Sequence, residues 1–205
     1  STQDRSSAAS DVYKRQLYGD MSRRVVSALS RFSREIEVYS IDESFLTLED
    51  ADNLLALSQR MRATVGRWTG IPISVGLGPT KTLAKLANRL AKRSGTGCFR
   101  LDAGEESALG RVPVAEVWGI GRRLSVRLLR VGLGNAWQFA QAPSSLIRSI
   151  GGVTLERTQR ELNGIACLEM EEISPPRKNT CSSRSFGKAV TLSLIHISEP
   201  TRPLD

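Results

Sequence analysis

The spacing of apolar side chains divides the first half of this chain into helical and extended stretches. In three stretches the apolar positions recur every three or four residues, which predicts amphipathic helices. In three others, short apolar runs rich in β-branched residues predict strands, and the first of these runs is either a hairpin or two adjoining strands. The predicted helices span residues 17–33, 53–68 and 81–92. The predicted strands span residues 37–48, 71–77 and 98–101.

The pattern changes near Arg111-Val112-Pro113, beyond which only helical periods remain. Residues 169–191 are polar and contain Pro175-Pro176, which is typical of a linker. This order of elements predicts an α+β chain, in which a mixed sheet with packed helices is followed by an all-α region. The predicted helical segments of the second half are residues 114–117, 122–131, 137–141, 144–149 and 153–162.

The two ends of the chain are related at the level of codons. DVYKRQ (residues 11–16) can be encoded by six codons whose reverse complement encodes LSLIHI (residues 192–197). Both hexapeptides resemble the translated end of a transposase-type sequencing adapter. We therefore treat residues 1–16 and 192–205 as adapter-like artefacts and expect a truncated reading frame between them.

Composition narrows the choice of partner and compartment. The 205 residues carry a net charge of +8, which favours a polyanionic partner such as nucleic acid. No run approaches the ~18 apolar residues of a membrane span, so no membrane partner is predicted. The three cysteines lack a CxxC spacing, which fits a reducing cytoplasm better than a disulfide scaffold.

The positive charge is concentrated in the second half, where a glycine-rich turn precedes a basic helix. Residues 111–191 carry 12 basic and 6 acidic side chains, against 13 and 11 in residues 17–110. Gly119-Ile120-Gly121 allows a tight turn that leaves the amides of the next helix free to bind phosphate, and Arg122 and Arg123 follow at once. The pattern favours a helix-hairpin-helix motif, although an ordinary helical hairpin with a solvated basic face has the same pattern.

A second group of cations lies on the predicted helix over residues 81–92. At helical spacing Lys81, Lys85 and Arg89 share roughly one face with Lys92. The simplest interpretation of this face is a solvated surface. Lys92 differs from the others because it lies at the end of the helix beside a glycine-containing loop, where a flexible cation can reach an anionic ligand.

Asp42 and Glu43 are adjacent carboxylates within the predicted hairpin. An ionised carboxylate is destabilised on leaving water unless a cation meets it. The pair either lies on an exposed β-turn, which Ser40 and Ser44 also favour, or binds a cation. Hard oxygen ligands of this kind suit Mg²⁺. Spacing alone leaves both interpretations open.

Together these stretches are similar to a Y-family, UmuC-type translesion DNA polymerase. The similarity extends in order over residues 17–191. The motifs that carry it include VYSIDESF (38–45), SVGLGPTKTLAKLANRLAK (74–92) and VWGIGRR (117–123). The domains that the resemblance implies are a partial palm (17–110), a thumb with a helix-hairpin-helix (111–168) and a linker toward a little-finger domain (169–191).

The resemblance also implies roles for individual residues. Asp42 and Glu43 would be catalytic carboxylates that hold two Mg²⁺ ions. Lys92 would contact the incoming deoxynucleoside triphosphate (dNTP). The residues that would grip the phosphate backbone of primer–template DNA are Gly119, Ile120, Gly121, Arg122 and Arg123.

The implied partners are DNA, dNTP, UmuD-type accessory subunits and a recombinase filament, in a bacterial cytoplasm during SOS-type DNA repair. The family's remaining catalytic carboxylate would precede Leu17, where adapter-like sequence stands, so we expect this chain not to polymerise. Two alternatives remain open. A non-catalytic helix-hairpin-helix DNA-binding protein leaves Asp42-Glu43 unexplained, and another palm-type enzyme, such as a nucleotide cyclase, leaves the basic helical half unexplained.

Overall fold

A computed structural model describes residues 2–48 and 53–170, with side chains from residue 16 onward. These residues belong to one compact unit, residues 1–174, and a second unit covers residues 175–205. Most of the predicted linker and the whole predicted adapter-like segment at the C-terminus lie outside the described residues. Their boundaries therefore stay predictions.

The first elements are two long helices with a short hairpin between them. Helix α1 is Thr2–Leu29 and helix α2 is Leu54–Thr69. Strands β1 (Ile36–Val38) and β2 (Ser44–Leu46) pair antiparallel. The hairpin predicted over residues 37–48 is therefore confirmed, and the turn between its strands contains the adjacent carboxylates.

A parallel pair of strands follows the second helix. Strands β3 (Val75–Leu77) and β4 (Cys98–Arg100) pair in parallel, and helix α3 (Lys81–Ser94) connects them. Gly76 lets β3 approach α3 closely, because a Cβ atom there would lie 2.1 Å from the backbone nitrogen of Asn88. Glycine is therefore required where this strand packs under the helix.

The strands differ from the single mixed sheet that we predicted. Within the described residues they form two separate two-stranded sheets, one antiparallel and one parallel. Strands β2 and β3 both border a cavity of about 790 Å³. The two strands therefore border this cavity and are not hydrogen-bonded to each other.

The second half of the described chain is helical, as predicted. The helix expected over residues 114–117 is a single 3₁₀ turn, Val114–Glu116. The two helices expected over residues 144–149 and 153–162 are present and meet at Gly152, whose dihedral angles (φ 70°, ψ −165°) are not helical; both lie within the span Ser144–Leu162. The remaining elements are α4 (Glu106–Leu109), which we did not predict, α5 (Arg122–Arg130), α6 (Ala136–Gln141) and α7 (Ser144–Leu162).

Buried side chains form two apolar clusters. The smaller cluster lies between α1, α2 and the hairpin, and the larger one joins α3 to the helices of the second half. Helix α3 thus packs across the predicted palm–thumb boundary at residues 110–111, and that boundary stays a prediction. Members of the larger cluster include Leu83, Leu86, Leu128, Phe139, Ile147 and Leu162, and the smaller contains Ala28, Leu29, Met61 and Val65.

The start of α3 is fixed by a fully buried carboxylate from α7. Glu161 accepts hydrogen bonds from the backbone nitrogens of Thr82 (3.0 Å), Cys167 (2.7 Å) and Leu168 (3.1 Å). The Thr80 hydroxyl donates to the Glu161 carbonyl oxygen at 2.8 Å. A buried carboxylate needs such donors, and here they orient the helix that carries the row of cations.

No helix in the part of the chain that the structure describes is both long enough and apolar enough to cross a membrane.

Candidate active site and nucleic-acid interface

Asp42 and Glu43 lie in the turn of the β1–β2 hairpin. The backbone nitrogens of Tyr39 and Ser40 both donate to the carbonyl oxygen of Glu43 at 3.0 Å. The Ser40 hydroxyl donates to Asp42 Oδ1 at 2.7 Å, which orients that carboxylate. Both carboxylate side chains are exposed. The expected turn is present, and it presents the pair toward solvent.

Lys85 of α3 meets the second of these carboxylates. Its Nζ atom lies 3.0 Å from Glu43 Oε2. The same ammonium group lies 4.5 Å from the ring centroid of Tyr39 and 4.6 Å from that of Trp118. The two rings meet edge to face, with centroids 5.5 Å apart. This lysine therefore joins the hairpin, α3 and the segment before the glycine-rich turn.

Lys81, one turn earlier on α3, is more deeply buried. It forms an ion pair with Glu37 of β1 and donates to the backbone oxygen of Glu169. Its ammonium group also lies 5.2 Å from the ring centroid of Phe45. The sequence predicted a solvated row of cations on α3, and for Lys81 this is wrong, because strand β1 covers it. No local signal in the sequence marks a partner 44 residues away.

One cavity brings the predicted carboxylates and the predicted triphosphate contact together. Asp42, Glu43 and Lys92 all line the cavity of about 790 Å³, together with Lys85. Lys92 is exposed in the last turn of α3. A cavity that offers carboxylates for a metal ion and a lysine for phosphate has the charges that a metal-bound triphosphate requires.

The donor chemistry of the hairpin turn fits Mg²⁺ in kind. Carboxylate oxygens are the hard ligands that this ion prefers, and Asp42 and Glu43 supply them on an exposed turn. Within the described residues no group of three or more His, Cys, Asp or Glu side chains is placed to hold a metal ion. The pair can therefore provide part of a Mg²⁺ site, in which water and substrate phosphates supply further ligands.

The glycine-rich turn has the geometry that the sequence predicted. Gly119 has a φ of +83°, a region that favours glycine. Gly121 is the N-cap of α5, and no side chain caps this helix. Ile120 is buried and attaches the turn to the core, whereas Arg122 and Arg123 are exposed. Uncapped amides and two exposed arginines at one helix start suit a phosphate group.

Glu116 connects α3 to the segment before this turn. Its carboxylate meets Arg93 at 2.7 Å and Arg89 at 3.5 Å, and Arg89 also donates to its backbone oxygen. The hydrogen bond from Arg93, supported by the charges of both arginines, lowers the pKa of Glu116 although burial opposes this shift. Sequence reasoning missed this cluster because its members lie 23 and 27 residues apart.

The fold is similar to those of solved Y-family DNA polymerases. DinB from Sulfolobus solfataricus matches with a TM-score of 0.60 over 73% of this chain and 45% of that chain, at 24% identity. A Y-family DNA polymerase chimera matches with a TM-score of 0.66 over 78% of this chain and 48% of that chain, at 23% identity. At these identities the similarity is one of fold alone.

The sequence places the chain in a family. Residues 11–89 match the impB/mucB/samB family. Protein ImpB of Salmonella typhimurium and Protein UmuC of Salmonella typhimurium strain LT2 are each 41% identical over 184 residues, or 85% and 86% of this chain. DNA polymerase IV of Treponema denticola is 31% identical over 140 residues, or 66% of this chain and 35% of that protein. The chain therefore belongs to the impB/mucB/samB family.

The matches also bear on the extent of the chain. It spans 43% of the length of Protein ImpB and 44% of that of Protein UmuC. The family match includes Asp42 and Glu43 and begins at residue 11, inside the segment that we assigned to an adapter. The boundary that we placed at Leu17 therefore stays a prediction.

Proposed function

We propose that this chain is part of a DNA-directed DNA polymerase that performs error-prone translesion synthesis in DNA repair. The observation that carries the proposal is the single cavity lined by Asp42, Glu43 and Lys92. Membership of the impB/mucB/samB family and the similarity to Protein UmuC support it. Because the chain spans less than half of that relative, the activity of the whole protein is part of the proposal.

In the proposed reaction Asp42 and Glu43 hold Mg²⁺, and Lys92 binds the triphosphate of the incoming nucleotide. Bound Mg²⁺ would supply the positive charge that stabilises phosphoryl transfer, and we propose that two such ions take part. The Ser40 hydroxyl orients the Asp42 carboxylate. Gly95 ends α3 in the left-handed conformation (φ 73°), and this leaves Lys92 at the end of the helix, beside the cavity.

The turn from Gly119 to Arg123 is proposed to bind the phosphate backbone of primer–template DNA. Exposed arginines and uncapped helix amides contact phosphate without reading bases, which suits an enzyme that acts on any sequence. A helix-hairpin-helix would supply this function with its first helix reduced to the 3₁₀ turn Val114–Glu116. UmuD-type subunits, a recombinase filament and a bacterial cytoplasmic location remain proposals from the family resemblance.

We propose further that the chain by itself binds Mg²⁺–dNTP but does not extend a primer, because two carboxylates form only part of a two-metal site. Equilibrium binding of Mg²⁺–dNTP, measured by fluorescence, should weaken about fivefold or more in Lys92→Met. Arg93→Met is the matched control, because Arg93 belongs to the same helical turn but pairs with Glu116. Template-directed extension that disappears in Asp42→Ala would contradict the inactivity, and equal binding by both variants would contradict the site.

The alternative is a non-catalytic DNA-binding protein. The observation that favours it is the row of exposed arginines on α5, which form no ion pair among the described residues. This alternative predicts salt-sensitive binding of DNA without sequence preference, together with no measurable affinity for Mg²⁺–dNTP. The same binding experiment therefore separates the two functions.

A further inference from the structure

Lys85 has two different kinds of partner. One is the Glu43 carboxylate, and the other is a pair of rings, Tyr39 and Trp118, which we call the aromatic cage. The rings are perpendicular to each other, and the ammonium group lies almost equally far from both centroids, at 4.5 and 4.6 Å. Aromatic faces attract cations electrostatically at such distances. The cage would therefore retain the lysine even without its carboxylate.

The ion pair between Lys81 and Glu37 is buried, and it serves as a comparison for the pair between Lys85 and Glu43. The Lys81 and Glu37 side chains are 9% and 10% exposed, and a backbone oxygen adds a second polar partner to the lysine. Lys85 is 21% exposed and Glu43 is 45% exposed. An exposed ion pair contributes little stability and breaks readily, whereas a buried pair leaves an uncompensated charge when it breaks.

We propose that Lys85 is the exchangeable counter-ion of Glu43. It positions the carboxylate while no divalent cation is bound, and it yields the carboxylate to such a cation while the aromatic cage retains the ammonium group. The inference rests on the proposed function in one respect, namely that Glu43 is a cation ligand. Lys85 then competes with the metal ion for the Glu43 carboxylate, so it lowers the affinity of the turn for divalent cations.

The test is the affinity of the full chain for Mn²⁺, followed by electron paramagnetic resonance of the free ion. Lys85→Met should bind Mn²⁺ about two- to fivefold more tightly than the unaltered chain, the gain expected when an exposed competing charge is removed. Lys85→Arg keeps the positive charge and the contacts with the rings, so its affinity for Mn²⁺ should equal that of the unaltered chain. A merely structural role for Lys85 predicts weaker binding, or no change, in Lys85→Met.

Two controls separate competition from a general change in charge. Arg89→Met removes a cation from the same face of α3, but this arginine pairs with Glu116, so Mn²⁺ affinity should stay within about twofold. In a Glu43→Gln background, Lys85→Met should no longer change Mn²⁺ affinity. Lys85→Gln replaces Lys85→Met if circular dichroism shows that the latter is unfolded.

Unchanged or weaker Mn²⁺ binding in Lys85→Met, or in the Lys85→Gln variant that replaces it, would overturn the inference, and so would the absence of Mn²⁺ binding in every variant. The Mn²⁺ titration measures neither nucleotide binding nor polymerisation. If Lys92→Met leaves Mg²⁺–dNTP binding unchanged while Lys85→Met tightens Mn²⁺ binding, the polymerase proposal fails and the counter-ion remains. If Lys92→Met weakens Mg²⁺–dNTP binding while Lys85→Met leaves Mn²⁺ binding unchanged, only the counter-ion proposal fails.

Discussion

Helices α3 and α5 both carry a row of cations, but the cations have different partners. On α3, Lys81 and Lys85 contact carboxylates and aromatic rings of the β1–β2 hairpin. On α5, Arg122, Arg123 and Arg127 are exposed, and none of them forms an ion pair in the part of the chain that the structure describes. Lys81 and Lys85 neutralise anions of the protein itself, whereas the arginines of α5 remain available to anions from outside.

The difference shows that a helical row of cations does not define its own function. The residue types and spacings on the two helices are similar, so the neighbouring elements decide. The hairpin packs over α3, and a lysine enclosed in this way must keep an anionic partner. The exposed arginines of α5 form no ion pair within the described residues, so they keep their water until a ligand such as a phosphate displaces it.

The largest expected effect concerns the buried carboxylate that fixes the start of α3. Glu161→Ala leaves the backbone nitrogens of Thr82, Cys167 and Leu168 without their acceptor, so the free energy of unfolding should fall by about 3 kcal/mol. Urea denaturation followed by circular dichroism measures this. The control is Glu156→Ala on the same helix. Among the described residues the Glu156 side chain forms only an ion pair with Arg148, at 3.5 Å, so the free energy of unfolding should fall by less than about 1 kcal/mol. Equal losses would show that the buried anion has no special role.

An intermediate effect is expected at the start of α5. Arg122→Glu with Arg123→Glu should weaken binding of duplex DNA about tenfold and lower the slope of log affinity against log salt by about two. Gel-shift titrations over a series of salt concentrations measure both quantities. The control, Arg23→Glu with Arg24→Glu on α1, makes the same change in net charge at exposed positions. A similar loss in the control would mean that overall charge, and not the α5 surface, binds DNA.

The smallest effect is expected at Glu116, whose partners on α3 are about half exposed. Because its folded-state pKa lies below the ordinary value of 4.5, its contribution is present above about pH 4.5 and disappears as the pH falls through the folded-state pKa. The stability difference between the protein and Glu116→Gln should therefore shrink between pH 6 and pH 3, from less than about 1 kcal/mol. Urea unfolding at several pH values measures it, and a difference that does not vary with pH would contradict this role.

Sequence patterns predicted the secondary elements well where residues close together in the sequence determine them. The helical period over residues 53–68 and 81–92 corresponds to α2 (Leu54–Thr69) and α3 (Lys81–Ser94). The short apolar runs around the carboxylate pair became the predicted hairpin. The single mixed sheet was not found, because pairing between distant strands depends on packing that no local period encodes.

The candidate site divides in the same way. The sequence singled out Asp42, Glu43 and Lys92, and the structure places all three around one cavity. The sequence did not indicate that Lys85 would contact Glu43, which lies 42 residues away. It also did not indicate that Glu161 would bind the start of α3, which lies 79 residues away. Such partners meet only after the helices have packed.

The sequence by itself determined the residue types of the carboxylate turn, the cationic face of α3 and the glycine turn before α5. These features depend on residues within about four positions of one another, where backbone geometry and hydrogen bonding act directly. The tertiary structure alone decided which cations are enclosed and which remain free. Burial and long-range contacts set the cost of leaving a charge unpaired, and those quantities arise only when distant segments of the chain pack together.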